Sequence, residues 1–478
     1  MRKFIDLTRR YERFQGGFVW DWQDKALPLP LADGTVGFGH GGDFHEAFVE
    51  PKEPPFMTNN GLVRADLLWK PVAYEVREAY APLLIDRIIN DNPWMLLYGE
   101  GIFSVVNRTL TQTSGDFDVY ADIVNGEGAV LKTEKLTLPV LYPGGKTEID
   151  LKYLTADFQN EPVLFYEFRV YRKDGTECAH RQFRLRADLV RLPEIVSGTA
   201  PLCEDTDSGY TFRAGGMTAV FSKETGLPLS VEKDGKPLLL GASLCHDRPY
   251  SGLDAKPGWG IRRQMDEARA LPITFGTPKL LTEEGKTHLA VSFAGGGKLL
   301  GTLTWTVCGD GTIECRMTAE TASGLILPRL GLELELPADL RDTEYLGYGP
   351  MENYRDRMTA PRFGHYRADI DALGFAFAPP SENGGHEGTT ALTFRSADGK
   401  CVGFRSAVPF HFDAHPYTVA DCQNAMHTHE LPVRDKIVVH LDAYHAPIGG
   451  DMAWSTLLDA HDIPVEGTHS LSFRLSLG

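Results

Sequence analysis

The stretch QGGFVWDWQD, Gln15 to Asp24, decides how the chain opens. Strand side chains alternate with period two, so Phe18, Trp20 and Trp22 share one face while Val19 and Asp21 share the other. Upstream, Phe4, Leu7, Tyr11 and Phe14 recur at helical spacing among charged residues. A short amphipathic helix stopped by Gly16 and Gly17, with a Trp-rich strand after it, is a fragment of α/β architecture. Two indoles beside a carboxylate at a strand end suit a sugar, whose C–H faces stack on indole and whose hydroxyls bond to carboxylates. Two tryptophans anchoring a core beside a surface aspartate is the plainer reading of the same stretch.

The chain beyond Asp24 does not continue an α/β pattern. Lys25 to about Glu53 is rich in Gly, Pro and Asp, contains HGGDF at His40 to Phe44, and reads as a long irregular loop of the functional kind. FMTNNGLVRAD, Phe56 to Asp66, closes it with a tight-turn signal at Asn60-Gly61, where Asn59 or Asn60 could offer an amide oxygen to a hard cation. A helix is expected over Val72 to Tyr80. Beyond it, Asn125-Gly126, Asp174-Gly175, Thr225-Gly226, Asp234-Gly235, Asp310-Gly311 and Asp398-Gly399 punctuate alternating or β-branched runs, an all-β pattern. Leu83 to Val190 has the size of one immunoglobulin-like sandwich and ends in the alternating run Glu177 to Leu189. Glu194 to Gly478 suits a larger double-layered sandwich.

The formal charge of -17 over 478 residues argues against nucleic acid or an anionic membrane as partner. Met1 to Arg13 is too charged for a secretory signal and no apolar run is long enough to span a bilayer, so the chain reads as cytoplasmic. The seven cysteines form no C-x-x-C pair. Cys308 and Cys315 bracket GDGTIE and are expected to face each other across a hairpin, with reduced thiols the favoured state.

Several motifs admit two readings. His427-Thr428-His429 would put two imidazoles on one face of a strand, but no third ligand sits at a defined spacing, which favours hydrogen-bonded structural histidines. In DAYHAPIGGDMAW, Asp442 to Trp454, a strand runs into glycines and then a tryptophan that could project into a pocket. LGYGPMENYRDR, Leu346 to Arg357, reads as a structural corner with buried salt bridges. PPSENG, Pro379 to Gly384, reads as a flexible polar loop that could act as a lid.

In this order, QGGFVWDWQD, HGGDF, NNGLVRAD, LGYGPMENYRDR, PSENG, MHTHEL and YHAPIGGDMAWS resemble the C-terminal half of the large bacterial β-galactosidases of glycoside hydrolase family 2, from Tyr11 to the last strand. The resemblance implies a mainly β chain in three parts. Residues 1–80 would be the last helix and strand of a TIM barrel with its long loop, 81–192 an immunoglobulin-like sandwich, and 193–478 a large galactose-mutarotase-like sandwich of the small-chain type. It further implies that Trp20 stacks galactose, that Trp454 enters the active site near the aglycone, and that Ser381 and Glu382 belong to a loop bordering the pocket. Asn60 would be an amide ligand of sodium. The neighbouring carbonyl ligand would come from Met57, where the family has Phe and this chain has Phe56 one step back. The family's two catalytic glutamates and its magnesium ligands lie on earlier barrel strands that nothing in this chain matches. No catalytic residue is therefore expected here. The implied role is to bind a β-galactoside such as lactose for retaining hydrolysis, in an oligomer with a complementing chain that carries the rest of the barrel. A non-catalytic carbohydrate-binding sandwich and a ligand-free structural remnant are the alternatives.

Overall fold

The structure, a computed structural model, describes residues 2–45, 59–88, 101–187, 192, 199–252, 254, 262–449 and 466–478. Met57 and Trp454 lie outside the described residues. The chain forms two compact units, one of residues 1–24, 61–190 and 357–365, the other of residues 25–60, 191–356 and 366–478.

In the first unit the opening helix runs from Arg2 to Arg10 and ends well before Gly16. Gln15 to Asp24 then departs from the expected strand. Among the described residues its pairing is one parallel bridge, Gln23 to Val63, extended by bonds from the Leu62 N–H to the Asp21 carbonyl (2.9 Å) and from the Val63 N–H to the Trp22 carbonyl (3.0 Å). A barrel strand needs a parallel neighbour on each side along its length. Without them Phe18, Trp20 and Trp22 stand 104%, 76% and 59% exposed. The stretch is anchored at its end: Asp24 is buried, and its Oδ1 accepts from the Gly61 N–H (2.8 Å) and from Lys70 Nζ (2.5 Å). Gly61 is required there, because a Cβ would lie 2.3 Å from the Asp24 nitrogen.

The immunoglobulin-like sandwich pairs a three-stranded sheet, in the order Leu83–Arg87, Ile102–Asn107, Lys146–Asp150, with a four-stranded one, in the order Val130–Leu136, Phe117–Asn125, Val163–Arg172, Glu177–Ala187. Phe103 packs edge-on to Tyr166 and Phe168 in its core. The helix Pro71–Ala79 begins with proline, which has no N–H to leave unsatisfied at a first turn. Its buried Glu78 accepts the His180 N–H at 3.0 and 3.1 Å. His180 lies on Glu177–Ala187, an edge strand of the four-stranded sheet.

In the second unit, part of the loop expected to be irregular is a hairpin, Leu27–Pro30 with Val36–Gly39. Asp33 organises its turn by accepting from the Thr35 N–H and Oγ1 at 2.9 and 2.6 Å. A five-stranded sheet spans Leu202 to Leu239. A thirteen-stranded sheet comes next in the chain, with a main path that places Arg329–Pro337, Lys436–His445, Cys401–His415 and Gly467–Leu477 side by side. Cys308 and Cys315 do not face each other, since the hairpin register sets Cys315 opposite Trp305 and every described cysteine is free. No described helix is long and apolar enough to cross a membrane.

Candidate functional site

Three neighbouring strands carry one periodicity. In Cys401–His415, Phe410, Phe412 and Ala414 join the apolar core, while His411, Asp413 and His415 point to the other face. Leu330, Leu332, Leu334 and Leu336 likewise enter the core from Arg329–Pro337, leaving Arg329 and Glu333 opposite. Lys436–His445 adds His440 and Asp442 to the same polar face.

Buried charges persist only when paired and hydrogen-bonded. Here Arg329 donates to Asp413 and, from Nε at 3.2 Å, to Asp442 Oδ2. His440 gives Nδ1 to Asp413 at 2.7 Å and Nε2 to Glu333 at 3.1 Å, and His411 gives Nδ1 to Asp442 at 2.9 Å. A ring donating from both nitrogens is an imidazolium. Against burial and the Arg329 charge, Asp413 accordingly holds His440 well above the usual histidine range. Gly331 makes room for the ladder, because a Cβ would meet the Leu441 carbonyl at 2.2 Å and Asp442 Oδ1 at 2.5 Å.

Glu382 sits against this ladder. It is 3% exposed within Pro379–Gly384, the stretch expected to be a flexible polar loop: Glu382 accepts from Tyr354 Oη at 3.1 Å and its N–H donates to the Tyr250 carbonyl. Burial pushes its carboxyl up to about 7. His445 donates Nδ1 to the Ala446 carbonyl at 2.8 Å, so its neutral form turns the Nε2 lone pair toward Glu382 Oε1, 3.4 Å away. A protonated Glu382 complements that lone pair. Ser381, half-buried, accepts from Asn383 Nδ2 at 2.8 Å through its carbonyl. In the Leu346–Arg357 corner Glu352, Asn353 and Tyr354 are buried while Pro350 and Arg355 are exposed, and Glu352 accepts the Gly384 N–H and Asp356 the Gly449 N–H.

The cavity bounded by Arg329, Glu382, Asp413 and His440 measures about 10 Å³, room for one water at most. Where the polar face runs on past His411 and Asp442, a cavity of about 440 Å³ opens between Arg355, Glu387, Tyr444 and His469. That volume suits a small ligand. Arg355 lies 5.2 Å above the Tyr444 ring, and burial raises the Glu387 carboxyl. The alternation of HFDAH, His411 to His415, is the signal in the sequence that could have pointed to this face.

A second cluster joins two motifs far apart in sequence. His427 caps a single turn, Thr428–Glu430, where a strand was expected. Its Nε2 lies 2.9 Å from Asp43 Oδ2 and its Nδ1 2.9 Å from Glu430 Oε1. Against burial, these two carboxylates raise its affinity for a proton. The buried His40 Nδ1 lies 3.4 Å from the same Asp43 oxygen. His40, Asp43 and His427 could hold a metal ion, as could His427, His429 and Glu430, Cys245, Glu333 and His440, or His411, Asp413 and Asp442. In the last two sets Arg329 and the doubly donating His440 already neutralise the carboxylates. At Asn60, Oδ1 accepts from Lys25 Nζ at 3.1 Å. Met57, the companion expected to offer sodium a carbonyl, lies outside the described residues. Trp20 is an exposed indole in the first unit, whereas Glu382 is buried in the second.

The described elements are an opening helix with an extended aromatic stretch, an immunoglobulin-like sandwich and a large β-domain with a buried polar face. Residues 1–85 match the model described as glycosyl hydrolases family 2, TIM barrel domain, and residues 213–475 the model described as beta galactosidase small chain. The latter covers more than half of the chain, which belongs to the β-galactosidase small-chain family. It is 26% identical to a β-galactosidase of Vibrio cholerae, over 95% of this chain and 44% of that protein. It is 26% identical to one of Klebsiella pneumoniae (94% and 43%) and 25% identical to one of Photobacterium profundum (99% and 47%). The chain thus spans about half the length of the curated relatives it matches. Among solved structures, a GalM/aldose epimerase homologue from C. elegans aligns over 59% of this chain and 99% of that one, with 10% identity and a TM-score of 0.32, too low to carry a fold argument.

Proposed function

We propose that the chain is the C-terminal, substrate-binding portion of a β-galactosidase that hydrolyses terminal β-D-galactosides such as lactose with retention, its catalytic glutamates supplied by a complementing chain. The observation that carries this reading is the succession of a barrel-end match at 1–85 and a small-chain match at 213–475 on one polypeptide. In it, Trp20 offers its exposed indole to the apolar face of galactose. Trp454 borders the aglycone. Ser381 and Glu382 hold the pocket's edge from within the packed sandwich, and the chain divides at residues 80 and 192 into a barrel end, an immunoglobulin-like linker and a terminal sandwich. The assembly works in the cytoplasm as an oligomer, without nucleic acid or membrane as partner. Magnesium, if the assembled enzyme uses it, is held by the complementing chain.

The test is to mix the purified chain with a fragment carrying the remaining barrel strands and measure nitrophenyl galactoside cleavage. Activity above that of the fragment alone is expected, and it should fall at least tenfold with Trp20→Ala. No gain on mixing overturns the proposal. Calorimetric lactose binding by the chain alone would point to a free-standing carbohydrate-binding protein instead.

A further inference from the structure

The His40–Asp43–His427 cluster has the construction of a metal centre in both its inner and outer contacts. Metal-bound imidazoles characteristically donate their other N–H to a carbonyl or carboxylate, which fixes the tautomer and aims a lone pair at the ion. His40 Nε2 lies 3.3 Å from the Met426 carbonyl, which can only accept, so the proton belongs on Nε2 and Nδ1 carries the lone pair. That Nδ1 is buried, has no hydrogen-bond partner, and faces Asp43 Oδ2 at 3.4 Å. Two electron-rich atoms in such contact call for a cation between them. His427 repeats the arrangement, with Nδ1 held by the Glu430 carboxylate and Nε2 directed at the same Asp43 oxygen. Asp43 is fixed in turn by the His40 N–H at 2.6 Å.

We propose that His40 Nδ1, Asp43 Oδ2 and His427 Nε2 bind a divalent transition metal of the zinc class, stapling the HGGDF turn to the MHTHEL turn. Two nitrogens and one oxygen favour zinc, cobalt or nickel over the oxygen-seeking magnesium and calcium. Zinc bonds of about 2.0 to 2.1 Å place tetrahedral ligands about 3.4 Å apart. The His40–Asp43 separation already has that value, and the His427–Asp43 contact opens by about half an ångström on binding. The two rings stack with centroids 4.5 Å apart and planes 8° apart. Coordination therefore turns each imidazole about its outer hydrogen bond until the ion lies in its plane. Water completes the shell. His429, stacked 5.1 Å from His427, is the one further imidazole beside the cluster among the described residues and is not required.

The full chain, stripped with a chelator, is titrated with zinc by calorimetry and with cobalt by visible absorption. One equivalent should bind, magnesium in excess should not displace it, and zinc should raise the midpoint of thermal unfolding. His427→Gln and Asp43→Asn should each weaken binding at least tenfold. Glu430→Gln, which changes an exposed outer contact and leaves the three ligands in place, should weaken it about 10- to 100-fold. Circular dichroism verifies that the variants fold, and should one fail, the exposed Glu430→Gln variant still decides. The proposal is overturned by the absence of stoichiometric zinc binding. It is equally overturned by binding that survives these substitutions, or that Cys245→Ser abolishes while His427→Gln does not.

Discussion

Gln15–Asp24 and Cys401–His415 carry the same kind of alternation and meet opposite fates. In the second, both faces find partners: phenylalanines enter a core on one side, and imidazoles and carboxylates close a ladder with Arg329 on the other. In the first, one bridge at Gln23 is the whole sheet pairing among the described residues, and three aromatic rings remain at the surface. Periodicity states which side chains share a face. Whether that face is buried depends on neighbouring strands contributed from elsewhere.

The contrast can be broken most forcefully at Arg329. Arg329→Met removes the cation that Asp413 and Asp442 share, leaving Asp413 only His440, and should cost about 3 to 5 kcal/mol in urea unfolding. A loss under about 1 kcal/mol would mean the ladder holds without it. Glu382 gives the next effect, through pH. Its native carboxyl, raised to about 7 by burial, keeps its proton while the unfolded one releases it near 4.5. The native state thus binds more protons between these values, and stability falls as pH rises from 4.5 to 7 by an amount on the order of 3 kcal/mol. Denaturation midpoints at pH 5 and pH 8 should converge in Glu382→Gln, and an undiminished slope there would assign the dependence to another group.

Gly331→Ala pushes a methyl against the Leu441 carbonyl and Asp442, and about 1 to 3 kcal/mol of stability should be lost on overpacking. The smallest effect belongs to the other region. Trp20→Ala, at an exposed position, should change stability by less than about 0.5 kcal/mol while reducing activity in the complemented enzyme. A large loss of stability on replacing Trp20 would show that the stretch is a core element after all.

Much of the β architecture was readable from local signals. Gly175, Gly226, Gly235, Gly311 and Gly399 all adopt the positive φ that the turn pairs predicted, and the helix near residue 72 runs from Pro71 to Ala79. At Asn125-Gly126 the left-handed residue is instead Gly128, because Asn125 Oδ1 gathers the N–H groups of Glu127 and Ala129 into a longer turn. The site was less legible. Asp43, the carboxylate that His427 Nε2 meets, lies 384 residues away in sequence, and Glu430, three residues on, was not read as a partner. The burial of Glu382 depends on Tyr354 and His445, which no local reading of PPSENG could supply.

The Glu78 carboxylate beneath the His180 N–H sets where this protein can be cut. An edge strand with open N–H groups invites pairing with another chain, and a carboxylate carried in from a neighbouring helix is one way to close it. A fragment beginning at Ala81 would keep every strand of the small sandwich and still expose the backbone of Glu177–Ala187 at His180. It should self-associate, whereas one beginning before Pro71 should stay monomeric, so the helix is the sandwich's own protection against aggregation.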